Sequence, residues 1–170
     1  MKKMHGAALV LAALLTGIAH AADWQVSSPY ADNALETAWI RSGSTDVLWS
    51  CRADAGQPVL ALEVPASSSF DLGAFEGRGA AGEKYKLAAI GLDGKFTPVN
   101  VSGWHVDSDH FHWEVTLPPA LLARAIKARL LALSVKPARG SGNRYRLWVE
   151  LPANHATLLE VLQPCLDANN

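Results

Sequence analysis

Residues 110–135 read HFHWEVTLPPALLARAIKARLLALSV, and the period of the apolar residues changes twice within them. Phe111, Trp113, Val115 and Leu117 fall on one side of the first stretch, and His110, His112, Glu114 and Thr116 on the other. A period of two with one apolar and one polar side marks a half-buried strand. At Pro118-Pro119 the pattern shifts. Proline is tolerated in the first turn of a helix, where its missing N–H would be unpaired anyway. Leu121, Leu122, Ala125, Ile126 and Leu130 then form an apolar stripe at helical spacing. Arg129 falls inside the stripe near its C-terminal end, where the charge suits the helix dipole and the stem covers apolar surface. Leu131, Leu133 and Val135 return to a period of two. A strand with one wet face beside a short helix points to an α+β domain with an antiparallel sheet.

Downstream, residues 137–143 (PARGSGN) read as a loop, and Tyr145, Leu147 and Val149 as the returning strand. Asn154 is placed to cap a last helix, in which Leu158, Leu162 and Cys165 share a stripe and Pro164 should loosen the final turn. Upstream, Val47, Trp49 and Cys51 share one face of a strand, and Val59 to Val64 make the next. Ser42-Gly43-Ser44-Thr45 and Asp54-Ala55-Gly56 are the turns around them. Before these, Leu35, Thr37 and Trp39 alternate with Glu36, Ala38 and Ile40, which favours a strand with Trp39 toward the core. A helix over 33–40 is the alternative, because Asn33 and Glu36 have capping-box spacing. Residues 65–82 suit a long surface loop. Strand signals resume over Tyr85 to Ile90, Asp93-Gly94 is a hairpin dipeptide, and Phe96 to Val101 and Trp104 to Val106 follow. The fold expected is an antiparallel, sandwich-like core with two short helices in the C-terminal half.

The first residues read as a secretory signal: Lys2 and Lys3, an apolar run from Ala7 to Ile18, then Ala19-His20-Ala21 as a small-x-small cleavage site. Cleavage after Ala21 would leave residues 22–170 as one periplasmic domain, with no stable membrane anchor. Losing Lys2 and Lys3 takes the net charge from −1 to −3, which is not the footprint of a nucleic-acid binder. Cys51 and Cys165 are the two cysteines. An even count in an oxidising compartment argues for one disulfide closing nearly the whole domain. In the loop-entropy account such closure contributes up to about 4–5 kcal/mol.

Candidate chemistry is sparse. Gly77 to Gly82 matches G-x-G-x-x-G, but no βαβ unit surrounds it. His105, Asp107, Asp109, His110 and His112 form the densest polar cluster. An H-x-H pair on a strand can chelate zinc or copper, but alternation divides these ligands between two faces, so no metal is expected. No G-x-S-x-G elbow occurs, and Ser141 sits in a turn-like Gly140-Ser141-Gly142, so no catalytic residue is assigned. No cofactor is implied. Six tryptophans are present, and Trp148 shares the polar side of its strand with Arg144, Arg146 and Glu150. An aromatic beside two arginines is a candidate recognition patch.

Several landmarks have a combined likeness. Trp24 precedes Ser28-Pro29, and a strand leads to Cys51-Arg52. Trp104 to Ser108 gives W-x-x-x-S, an apolar helix runs into a strand over 120–135, and Leu162 to Cys165 gives Leu-x-x-Cys. Taken together, these resemble the type VI secretion-associated VasI-like family of exported proteins. The resemblance implies an envelope accessory role with no catalytic residues to carry over. The expected function is therefore non-enzymatic binding of another envelope protein. The competing reading is a periplasmic immunity or inhibitor protein that blocks a cell-wall-degrading effector with a rigid polar loop, 105–110 or 137–143.

Overall fold

Phe111, Trp113 and Val115 project from one side of their strand, and in the computed structural model that side faces the core. The structure describes residues 23–27, 35–52, 56–66, 71–77, 88–137 and 143–169. The strands are β1 (Gln25–Ser27), β2 (Thr37–Ser42), β3 (Thr45–Arg52), β4 (Gln57–Pro65), β5 (Ala89–Leu92), β6 (Lys95–Pro98), β7 (Asn100–His105), β8 (His110–Thr116), β9 (Leu130–Val135) and β10 (Tyr145–Glu150). Two helices, α1 (Pro119–Ala125) and α2 (Ala156–Asp167), lie in the C-terminal half. The larger sheet has the order β1-β2-β3-β4-β8-β7, the smaller β10-β9-β5-β6, and every pairing is antiparallel. The expected α+β, sandwich-like class is the one found.

The inward side of the larger sheet carries Ala38 and Ile40 from β2, Val47, Trp49 and Cys51 from β3, Leu60, Leu62 and Val64 from β4, and the β8 row. Helix α2 covers the part built by β2, β3 and β4. The smaller sheet's side of the core reaches β8 through Tyr145, whose ring lies 5.1 Å from that of Trp113. Gly103 of β7 pairs with Trp113, and a Cβ there would come within 2.9 Å of the Phe111 ring and 3.1 Å of the Trp113 indole. Only a glycine lets those two rings lie against the neighbouring strand.

Cys51 and Cys165 are bonded, with Cα atoms 5.7 Å apart, joining β3 to the last turn of α2. Asn169 reinforces that end. Its Nδ2 donates to the Cys165 carbonyl (2.7 Å) and to the Gly56 carbonyl in the β3–β4 turn (2.8 Å). Gly56 sits at φ 59°, and a Cβ there would meet Ala168 at 2.9 Å. At the other end of α2 the N-cap is His155, not the expected Asn154; Asn154 stands one residue earlier and accepts from the Ala156 N–H in a local turn. Pro164 does not interrupt the helix, which runs on to Asp167. Proline forfeits one bond to the preceding turn, and the Asn169 side chain takes up the next free carbonyl, that of Cys165.

Other expectations are corrected. Ala38 and Ile40, not Trp39, face inward. The β2–β3 turn pairs Ser42 with Thr45 and so sets Ile40 opposite Val47 and Ala38 opposite Trp49. A small residue beside a large indole fills the space, and Trp39 is left half-buried outside, opposite Leu48. Within the supposed surface loop, Asp71 caps a 3-10 turn, Leu72–Phe75, whose Leu72 and Phe75 are buried. The run Phe96 to Val101 divides between sheets: β6 joins the smaller and β7 the larger, with the Val99 N–H bonded to the Ala88 carbonyl at the crossing. Helix α1 ends at Ala125, so Leu130 opens β9 instead of completing the helical stripe. There the Asp93 carboxylate accepts from the N–H groups of Arg129 (2.9 Å) and Leu130 (3.0 Å). Asp93-Gly94 makes the expected β5–β6 turn, with both residues at positive φ. The expected leader at 1–21, most of the Gly77 to Gly82 run and Ser141 lie outside the described residues.

Replacing both cysteines by alanine should cost about 2–5 kcal/mol, seen as a lower urea midpoint in equilibrium unfolding. Gly103→Ala should cost about 1–3 kcal/mol in the same assay, because the Phe111 and Trp113 rings must shift within a packed core.

Candidate binding face

Strand β10 places Arg146, Trp148 and Glu150 on the outer side of the smaller sheet, because Val149 alternates with them into the core. The register extends this side across four strands. One row runs Trp148, Ala132, Gly91, Phe96, and the next Arg146, Ser134, Ala89, Pro98. The two aromatics stand on opposite edge strands, and the residues between them are small. The result is a groove of about 560 Å³ lined by Phe96, Ala132, Ser134, Arg144, Arg146 and Trp148, with Ala89 and Leu133.

Exposure describes its section. Phe96 and Trp148 are 54% and 56% exposed, whereas Ala132 and Ser134 on the same side are each 6% exposed. The floor is shaded by its walls. Arg144 lies across one end, its Nη1 donating to the Ser134 hydroxyl at 3.0 Å. Arg146 beside it is exposed and makes no ion pair among the described residues. Lys136, directly after β9, is exposed as well. The three recognition residues expected from sequence, Arg144, Arg146 and Trp148, are thus brought together on one face. Sequence reasoning missed the opposite wall. Phe96 lies two residues past the Asp93-Gly94 turn, and the signal available was that Phe96 and Gly91 become direct partners once that turn closes a two-residue hairpin.

The histidine cluster is not one site. His105 Nδ1 is 2.7 Å from Glu76 Oε1, His110 Nδ1 is 3.1 Å from Asp107, and His112 Nδ1 is 3.2 Å from Glu63 Oε1. An ionised carboxylate only accepts, so in each pair the ring nitrogen is the donor. Each has its own carboxylate. His112 also stacks on Trp104 with ring centres 4.4 Å apart, while His105 meets Phe111 edge-on. Among the described residues, no three His, Cys, Asp or Glu side chains group to hold a metal ion. The backbone N–H groups of Asp109 and His110 both donate to Asp107 Oδ1 at 2.7 Å, so the polar stretch is a braced turn.

The hydrogen bond from His105 holds the Glu76 carboxyl below its ordinary range. The Asp109 N–H, followed by the His110 ring, does the same for Asp107. A lowered folded-state pKa contributes stability above the unfolded value and loses it as pH falls through the folded value. Melting temperature should therefore drop between about pH 5 and about pH 2, and Asp107→Asn should make that drop shallower. Thermal melts at stepped pH check both.

No helix among the described residues is long and apolar enough to cross a membrane. Compared with known proteins, the chain matches no family model, and no curated protein or solved structure is significantly similar to it.

Proposed function

We propose that this protein is a non-enzymatic accessory protein of the cell envelope that works by binding another envelope protein through the outer face of its smaller sheet. The observation that carries the reading is the pair of half-exposed aromatics, Phe96 and Trp148, flanking a floor of small residues beside Arg144 and Arg146. Aromatic and arginine side chains are the types that dominate binding energy at protein interfaces. The floor offers no titratable base beside the Ser134 hydroxyl, which is already engaged by Arg144. The basic and apolar leader at 1–21 supports export to the periplasm, and the landmark resemblance to VasI-like proteins supports a place beside type VI secretion. The disulfide suits an oxidising compartment.

An immunity or inhibitor role is the second reading. The turn braced by Asp107 is the observation that favours it, since a rigid polar loop is what blocks an active site.

Affinity capture from envelope extract should recover a specific partner, and Arg146→Ala or Trp148→Ala should weaken its binding at least about tenfold without lowering the melting temperature. Loss of binding on Asp107→Ala instead would favour the inhibitor reading. Turnover of peptidoglycan, peptide or ester substrates by the purified protein would refute the binding role.

A further inference from the structure

Resting on the reading that this face binds, we propose that the groove takes an extended acidic peptide segment of the partner. An apolar side chain seats between Phe96 and Trp148, and a carboxylate two positions away meets Arg146.

The seat is built by register. Phe96 is the direct cross-strand partner of Gly91, and a Cβ on Gly91 would come within 2.9 Å of the Phe96 ring and 3.1 Å of the Ala132 Cβ. The ring therefore lies over the bare backbone of Gly91, yet stays 54% exposed. Trp148 is the partner of Ala132 from the other side. Between the two aromatics nothing larger than a methyl group rises from the sheet. An apolar side chain entering there is contacted from both sides and from below.

The spacing suits an extended chain. Arg146 and Trp148 are two residues apart on one strand, which is about 7 Å. Side chains i and i+2 of an extended peptide have the same separation and point the same way. A carboxylate at one and an apolar group at the other would meet both rows together. Charge sets the direction: Arg144, Arg146 and Lys136 gather at one end, and Glu150 stands beyond Trp148 at the other. The planar guanidinium of Arg146 matches a carboxylate in bidentate fashion.

The floor argues for peptide over sugar. Gly91, Ala132 and Ala89 offer no side-chain donor or acceptor, and the Ser134 hydroxyl is bonded to Arg144. A ring bearing many hydroxyls would give up water there without replacement. An anionic membrane surface is disfavoured by a chain whose net charge is −1.

The test is fluorescence anisotropy with a labelled heptapeptide, Gly-Ser-Glu-Ser-Phe-Ser-Gly, and the disulfide-bonded domain. Binding should saturate, and should weaken at least about tenfold when the peptide's Glu becomes Gln or its Phe becomes Ala. The protein variants Arg146→Gln and Phe96→Ala should weaken it to the same degree. Gly91→Ala should displace the exposed Phe96 ring and weaken binding while the melting temperature holds. No saturation up to about 1 mM, equal binding of the Gln peptide, or indifference to Phe96→Ala would overturn the proposal. So would preference for a chitin tetrasaccharide or for phosphatidylglycerol vesicles. If partner capture is lost in Trp148→Ala but the peptide fails, the face binds and the ligand class is wrong. If partner capture survives Arg146→Ala and Trp148→Ala, the face itself is wrong.

Discussion

Trp49 and Trp113 point from the same side of the larger sheet, with one strand between them, into a core that must exclude water from both. Burying two indoles side by side needs a broad cover, and one helix of ordinary diameter is too narrow to supply it. The chain covers them separately. Helix α2 lies over β2, β3 and β4 and is bonded to β3 through Cys51–Cys165. Tyr145 of the smaller sheet and Phe75 of the 3-10 turn close over Trp113, with ring centres 5.1 and 5.7 Å from it. Burial of the Tyr145 phenol is deep enough to push its pKa up, against the opposing effect of the Trp113 indole.

That division of labour leaves the smaller sheet with one committed side. Ile90, Leu92, Leu131, Leu133 and Val149 face the core, so the alternate residues must face outward. Antiparallel sheets commonly keep such a face wet and polar. Here the outward residues are instead graded by position. Small ones occupy the two central strands and large ones the two edges. A concave surface follows from that gradient without any loop needing to form it, and walls set by strand register are held more firmly than walls on loops.

How far the sequence disclosed this depends on whether the deciding contact is local. The β8 alternation, the Asp93-Gly94 turn and the common side of Arg144, Arg146 and Trp148 are all properties of short stretches, and they read correctly. The pairing of Cys51 with Cys165 followed from counting two cysteines. Trp39 was misread because both sides of its strand are apolar, and only the turn to β3 decides which one faces in. Phe75 was hidden because its partners, Trp113 and Tyr145, lie far along the chain. The Phe96 wall needed the order β10-β9-β5-β6, in which strands distant in sequence become neighbours. The polar cluster at 105–112 was read as one extended stretch with Asp107 and His110 on opposite sides, whereas a turn at 106–109 brings the two together. Its individual partners, Glu63 and Glu76, come from β4 and from beside the 3-10 turn and were not visible in its own stretch.

The cysteine pair also sets when its bond can form. A chain is made from its N-terminus, and the two cysteines are separated by 114 positions. Cys51 must therefore wait as a free thiol while nearly the whole domain is synthesised, and it cannot find its partner until the last helix exists. The β2–β3–β4 meander and the β5–β6 hairpin need only nearby residues and can assemble before that. The bond therefore ties together parts of the domain that lie far apart in the chain. A chain truncated before its last helix would keep most of its sheet-forming sequence, yet it would expose the inner side of β3 together with an unpaired, reactive sulfur. Such a product announces its own incompleteness chemically, through a thiol that the finished domain no longer has.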